Sequence, residues 1–304
     1  MCYDQDTQPS TGLVVTDFTL AIQRYEYVNL YHTMCDYYNA FVLMLLFGVR
    51  PSKFNILFVD THPVGNLDPV WGTLFGKVFR AGQLDSPVMF HTLSWGMLGY
   101  FSPLNEHNRQ SVPYLEEFRR FFLEQHNVST NHTVDCGHLN VVFIWRHNYV
   151  AHPRNQKGSV VRKFANEAEM LTVARQTLGA HANVTGYQLD KLPMKAQLEL
   201  IAKCDILIGM HGAGLSHILF LPKTSAALEL KPVYSNPALG HFQAQAKWRG
   251  IPYSIWLNED RANEESDHKT HIPKDVLTNE LKGLRESICN KKSVSDTQVV
   301  LNKE

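Results

Sequence analysis

The chain has 304 residues, enough for about two domains with cores of their own. Hydrophobic residues make up 44% and charged residues 19%, which excludes a largely disordered chain. Lys+Arg and Asp+Glu both number 29, so no basic excess points to nucleic acid or an anionic lipid surface, and neither is expected as a partner.

In chain order, the pattern predicts an aromatic-rich helix over Tyr25 to Phe47, a strand over Asn55 to Asp60 and a helix over Leu67 to Arg80. Tyr114 to Gln125 reads as an amphipathic helix. The polar stretch Asn127 to His138 then sets a boundary between an N-terminal domain, 1–135, and a C-terminal domain, 136–304. The C-terminal half alternates clearly: strands at Asn140–Trp145, Val184–Leu189, Asp205–Gly209, Ala226–Leu230 and Tyr253–Leu257. Between them come helices at Asn166–Leu178, after Pro193, from the glycine turn to Leu221 and at His241–Arg249, with a closing helix at Lys274–Ile288. That alternation predicts an α/β fold with a parallel sheet covered on both faces.

The longest apolar run, Ala40 to Val49, is ten residues where a membrane-spanning helix needs about 20, so no membrane contact is expected of this chain. No basic flank and apolar stretch opens it as a signal peptide would. Three N-glycosylation triplets begin at Asn127, Asn131 and Asn183; they are either chance matches or acceptors in a secretory lumen, with the targeting segment outside this chain. Five cysteines without a C-x-x-C pair demand neither a disulfide framework nor a structural zinc.

The strongest local signal is Ile208-Gly-Met-His-Gly-Ala-Gly-Leu-Ser216, where an apolar strand runs into Gly209, Gly212 and Gly214 and then a helix candidate. Such a turn at the carboxyl edge of a parallel sheet offers backbone N–H groups and a positive helix end to an anion, a pyrophosphate being the natural guest. The other reading is a tight turn with His211 as an ordinary core histidine; His211 and His217 flanking the turn favour a ligand site. A lipase-like oxyanion stretch is a further thought, but the chain has no G-x-S-x-G elbow. His32 and Asp36, four residues apart on one helix face, form a candidate acid–base pair, or two polar residues on a solvated face. Arg146, His152 and Arg154 follow the Asn140 strand, where an arginine could grip phosphate oxygens in a bidentate way. Glu229 is read as a strand end able to accept both hydroxyls of a ribose. The only D-x-D, Asp4-Gln-Asp6, does not follow an apolar strand, so no dedicated divalent-metal site is visible.

The stretches YEYVNLYHTMCDYYNAFV, ILFVDTHP, VWGTLF, VVFIWRHNYVAHPRNQ, LPMKAQLELIAKCDILIGMHGAGLSH and HFQAQAKWRGIPY together resemble the family 61 glycosyltransferases, above all the plant-type core β-1,2-xylosyltransferases. The glycine segment MHGAGLSHILFLP is also similar to that of the EGF-domain O-GlcNAc transferases. The resemblance implies a GT-B arrangement, two Rossmann-like domains facing a cleft. It further implies inverting transfer from a UDP-sugar to an N-glycan or glycoprotein acceptor, with no cofactor and no essential metal. By matching motifs, His211, Gly212, Ala213 and Gly214 would line the diphosphate, with Arg146 and Arg154 on the donor side and Glu229 on the ribose. Asp36 would be the catalytic base, with His32 as its rival or partner. The expected activity is transfer of xylose from UDP-xylose to the core β-mannose of N-glycans. The alternatives are O-GlcNAc transfer to protein or a catalytically silent nucleotide-sugar-binding protein. The expected location is the Golgi lumen, since the chain ends in Leu301-Asn-Lys-Glu304 rather than an ER-retention tetrapeptide.

Overall fold

Apolar runs that are buried along their whole length organise two separate parallel sheets. The computed structural model describes residues 12–150, 152 and 155–290. Arg154, Cys2 and the Asp4-Gln-Asp6 motif lie outside the described residues. The chain divides into two units: 1–106 with 116–121, and 107–115 with 122–304.

In the first unit, β1 (Leu13–Val15), β2 (Phe18–Ile22), α1 (Leu30–Leu46), β3 (Phe54–Phe58), α2 (Asp68–Leu74), β4 (Val78–Arg80), β5 (Val88–Phe90) and β6 (Leu93–Trp95) follow in order. The main sheet runs β4-β3-β2-β6, and β1 pairs separately with β5. All these pairings are parallel. Counted along the chain, the four-stranded order is that of one Rossmann half, with the reversal between β2 and β6. β3 is buried at every position, as a strand covered on both faces must be. α1 starts later than the aromatic pattern predicts because Asn29 caps it, its side chain accepting from the Tyr31 N–H at 3.0 Å. The helix predicted over Leu67 to Arg80 stops at Leu74. Gly76 then passes so close to β3 that a Cβ there would lie 2.8 Å from Asn55 Oδ1, and Val78–Arg80 joins the sheet as a strand.

The second unit contains β7 (Asn140–Ile144), β8 (Lys163–Phe164), α4 (Glu167–Leu178), β9 (Asn183–Tyr187), α5 (Met194–Ile201), β10 (Ile206–Met210), β11 (Ala226–Lys231), α6 (His241–Arg249), β12 (Tyr253–Leu257), β13 (Glu264–Glu265), β14 (Lys269–Thr270) and α7 (Lys274–Cys289). Helix α3 (Leu115–Gln125) precedes it, its residues divided between the two units. The sheet order is β12-β11-β10-β7-β9, every pairing parallel. Renumbered along the chain this is 5-4-3-1-2, a doubly wound sheet whose direction of winding reverses between β7 and β10. Strands β7, β10 and β11 pack with α4 and α7 in one core that includes Phe143, Ile208, Leu228, Met170 and Leu281. The parallel α/β architecture matches the sequence reading.

The second unit starts earlier than the 135/136 boundary. The polar stretch after α3 is not a linker: His132 Nε2 lies 2.8 Å from the buried Asp205 carboxylate, and Val134 belongs to the second core. A disulfide joins Cys136 to Cys289 across 153 positions, while Cys35 and Cys204 are buried and free. Among the described residues no helix is long and apolar enough to cross a membrane.

Candidate functional site

The reversal point between β7 and β10 is where an open parallel sheet leaves a crevice at its carboxyl edge. Register pairs Ile144 with Gly209, so Arg146 and His211, each two residues further on, leave neighbouring strand ends. The Arg146 guanidinium lies against Gly212: a Cβ there would sit 2.2 Å from Arg146 Nη1, so only glycine admits the side chain in this pose. Arg146 Nε donates to the Val161 carbonyl at 3.1 Å. That bond holds the arginine beside Arg162, a residue the sequence reading missed.

Arg162 has a left-handed backbone (φ 61°), and its N–H donates to Tyr234 Oη at 3.1 Å. Its Nε is buried without a hydrogen-bond acceptor. Among the described residues neither guanidinium has an ion-pair partner. Burial first, and the neighbouring Arg162 second, push the Arg146 guanidinium down to about 10; Tyr149 and Asp190 offset part of this. Burial likewise lowers Arg162. Two half-buried like charges close together are costly, and an anion between them relieves both penalties. Beside them a cavity of about 520 Å³ is lined by Arg146, His147, Lys163, Phe164, Asn166 and Glu167. The signal available in the sequence was the basic pair Arg162-Lys163 just before the start of α4.

His211 is buried, its N–H extending the ladder to the Leu230 carbonyl at 2.9 Å and its Nδ1 meeting Glu229 Oε1. Glu229 is 0% exposed in the middle of β11, rather than at an open strand end. Its other oxygen accepts from Tyr253 Oη at 2.6 Å, so both oxygens are engaged inside the protein, which fits the holding of His211 better than the ribose contact expected for Glu229. His211 also packs on Phe242 at 5.3 Å and on His241 at 6.0 Å between ring centroids. Ala213 and Gly214 are half-buried and open a 3-10 stretch, Ala213–Phe220, where an α-helix was expected. A Cβ at 214 would meet Ile144 Cγ2 at 3.1 Å, so packing on β7 accounts for that glycine. His217, expected to flank a ligand, is instead a core histidine. Its Nδ1 lies 2.8 Å from the Gly214 carbonyl, and burial pushes it down to about 4, so it stays neutral.

In the first unit, His32 and Asp36 share a helix but not an environment. Asp36 is 1% exposed, and neither carboxylate oxygen has a partner of hydrogen-bond geometry, although the Gly99 and Tyr25 amides are near. Burial, partly opposed by Arg24, pushes its carboxyl well above the usual range. His32 is half-buried against Tyr25 and Tyr31, whose ring centroids lie 4.9 and 5.3 Å away, and burial lowers its imidazole. Asp36 therefore does not orient His32. A network absent from the sequence reading lies nearby: Arg24 pairs with both oxygens of Asp60 (2.7 and 2.9 Å) and with Asp68 (2.7 Å), which Arg80 also reaches. Of the glycosylation triplets, Asn127 and Asn131 are exposed, and Asn183 is exposed at the start of edge strand β9, where its amide donates to Asn140 Oδ1 at 3.1 Å.

With this geometry in view, the comparison with known proteins is direct. The family Glycosyltransferase 61 matches residues 30–228. The chain belongs to this family. It is 29% identical to a β-1,2-xylosyltransferase of Oryza sativa subsp. japonica over 265 residues, 79% of this chain and 49% of the relative. It is 29% identical to a β-1,2-xylosyltransferase of Arabidopsis thaliana over 288 residues, 82% of this chain and 53% of the relative. It is 25% identical to an EGF domain-specific O-linked N-acetylglucosamine transferase of Gallus gallus over 262 residues, 80% and 45% of the two chains. The chain thus spans about half the length of these curated relatives. The family match covers α1, with His32 and Asp36, and extends through β7, Arg162 and the glycine turn to β11.

Proposed function

We propose that the protein is an inverting UDP-sugar-dependent glycosyltransferase of GT-B type, transferring xylose from UDP-xylose to the core β-mannose of N-glycans. The observation that carries the proposal is the half-buried pair Arg146 and Arg162, without an ion-pair partner among the described residues, with Arg146 set against Gly212 at the reversal point of a parallel sheet. A diphosphate supplies the charge this pair lacks, and it gains negative charge as the sugar leaves. The guanidinium groups and the turn's N–H groups then favour the transition state over the bound donor. Gly212 and Ala213 belong to the same donor side. No resident cofactor enters the reading, because cationic side chains meet the leaving charge.

Inversion also needs a base for the acceptor hydroxyl. Burial favours His32 over Asp36 for this role: a lowered imidazole is neutral and able to accept a proton, whereas the Asp36 carboxyl is sealed from solvent. The xylosyl donor is supported by the likeness to β-1,2-xylosyltransferases, and UDP-GlcNAc with a protein hydroxyl is the second reading, from the weaker likeness to the EGF-domain enzymes. The Cys136–Cys289 bridge and the exposed Asn127 and Asn131 triplets support an oxidising, glycosylating compartment, which we take to be the Golgi lumen.

The test is incubation with UDP-xylose or UDP-GlcNAc and either truncated N-glycans or serine- and threonine-bearing EGF-type domains, read by mass. A pentose increment on the glycan is expected. An N-acetylhexosamine increment on the protein moves the assignment to the second reading, and UDP binding with no increment on any acceptor leaves a silent binder.

A further inference from the structure

Glu229 occupies an unusual place for a carboxylate. It lies on β11, with β10 on one side and β12 on the other, fully buried and with both oxygens engaged. Oε1 meets His211 Nδ1, Oε2 accepts from Tyr253, and Lys231 Nζ stands 3.8 Å away, itself donating to the Leu239 carbonyl at 2.7 Å. A buried carboxylate is expensive unless it is hydrogen-bonded and paired, and here it is both. Its direct contact with the proposed donor site is His211, and its charge also reaches Arg162.

We propose that Glu229 is a positioning residue that fixes His211 as the Nδ1–H tautomer, so that Nε2 is the nitrogen offered to the leaving diphosphate. An ionised carboxylate only accepts, so the proton between it and His211 must sit on Nδ1. The Nε2 nitrogen is then free to carry a second proton and donate it as a hydrogen bond to a phosphate oxygen, the resulting imidazolium being compensated by Glu229. The ring cannot turn away, because its backbone is tied into the β10–β11 ladder and its faces meet Phe242 and His241. Tyr253 and Lys231 hold Glu229 in turn. The charged groups facing His211 are Glu229 on its Nδ1 side and Arg146 against the adjacent Gly212, with His241 stacked on the ring. This inference rests on the donor-site reading above and gives Glu229, expected from the sequence on the ribose, a different task.

The experiment uses the chain with 15N-labelled histidine, in wild-type, Glu229→Gln and Tyr253→Phe forms, observed by NMR with and without UDP, with UDP affinity measured by calorimetry. In the wild type, His211 is expected as Nδ1–H without ligand and with both nitrogens protonated in the UDP complex. Glu229→Gln should mix the tautomers and weaken UDP about tenfold or more, and Tyr253→Phe should do the same to a smaller degree. Glu229→Asp should recover the Nδ1–H signal; a purely structural role would move melting temperature without moving the tautomer. An Nε2–H tautomer in the wild type overturns the inference whether or not UDP binds. UDP binding equally to wild type and Glu229→Gln, with His211 unchanged, also overturns it and leaves the donor site standing. Failure of the wild type to bind UDP overturns the donor-site reading instead, while the ligand-free spectrum still decides the tautomer. Should Glu229→Gln not fold, the Tyr253→Phe spectrum decides.

Discussion

The two units each hold a cluster of arginines, Arg24 buried in the first and Arg146 and Arg162 half-buried in the second, and they treat the charge in opposite ways. In the first, Arg24 is surrounded by Asp60 and Asp68, stacks 4.0 Å over the Phe58 ring, and shares Asp68 with Arg80. Burial alone would raise Asp60, but its hydrogen bonds from Arg24 win and hold it below the ordinary range. In the second, Arg146 and Arg162 lie close enough to repel each other, neither forms an ion pair among the described residues, and the more distant Asp190 and Glu229 offset only part of the downward push on the two. A compensated cluster is a structural part; an uncompensated one keeps its charge for something that arrives later.

This contrast can be broken from either side. The largest effect is expected from Arg24→Ala, which leaves Asp60 and Asp68 buried without their main partner and should cost about 3–5 kcal/mol of stability in a denaturant titration. A loss below about 1 kcal/mol would mean the network is slack. Next comes Arg146→Ala, expected to weaken UDP about tenfold to a hundredfold while leaving the melting temperature unchanged or higher, since it removes an unfavourable charge. A folded Arg146→Ala protein with wild-type UDP affinity would remove the anion site.

How much of this was legible in the sequence depends on what each signal needed. Continuous apolar runs such as Val141–Ile144 and Ile206–Ile208 announced buried parallel strands, and the glycine turn after β10 fell where expected. Three-residue strands such as Val88–Phe90 and Leu93–Trp95 carry too few residues to show a period, so part of the first sheet went unseen. Arg162 was missed because it reaches Arg146 through a polar loop and a left-handed residue, neither of which has a periodic signature, so that the basic pair Arg162-Lys163 was its one trace. Asp36 showed its helix face but not its fate: Gly99, from a distant segment, lies so close that a Cβ there would meet the carboxylate.

The smallest effect concerns that carboxyl. Because burial raises Asp36 in the folded state, the folded chain holds its proton more tightly than the unfolded chain does. The linked stability is present below the ordinary carboxylate range, near pH 4, and is lost as pH rises above it. Asp36→Asn should therefore be more stable than wild type at pH 7, by about 1 kcal/mol or more, with the gap closing towards pH 4. An unchanged melting curve at both pH values would show that the site is wetter than its burial indicates. Turnover that survives Asp36→Asn but not His32→Ala would sharpen the choice of base.

The bridge between Cys136 and Cys289 spans 153 positions and brackets all five strands of the second sheet. During synthesis its first thiol emerges long before its mate, so the covalent seal can form only after the ribosome has delivered α7. In the folded chain Cys35 and Cys204 are both buried, so neither thiol is exposed to attack the bridge, and the fold itself shields the crosslink from disulfide exchange.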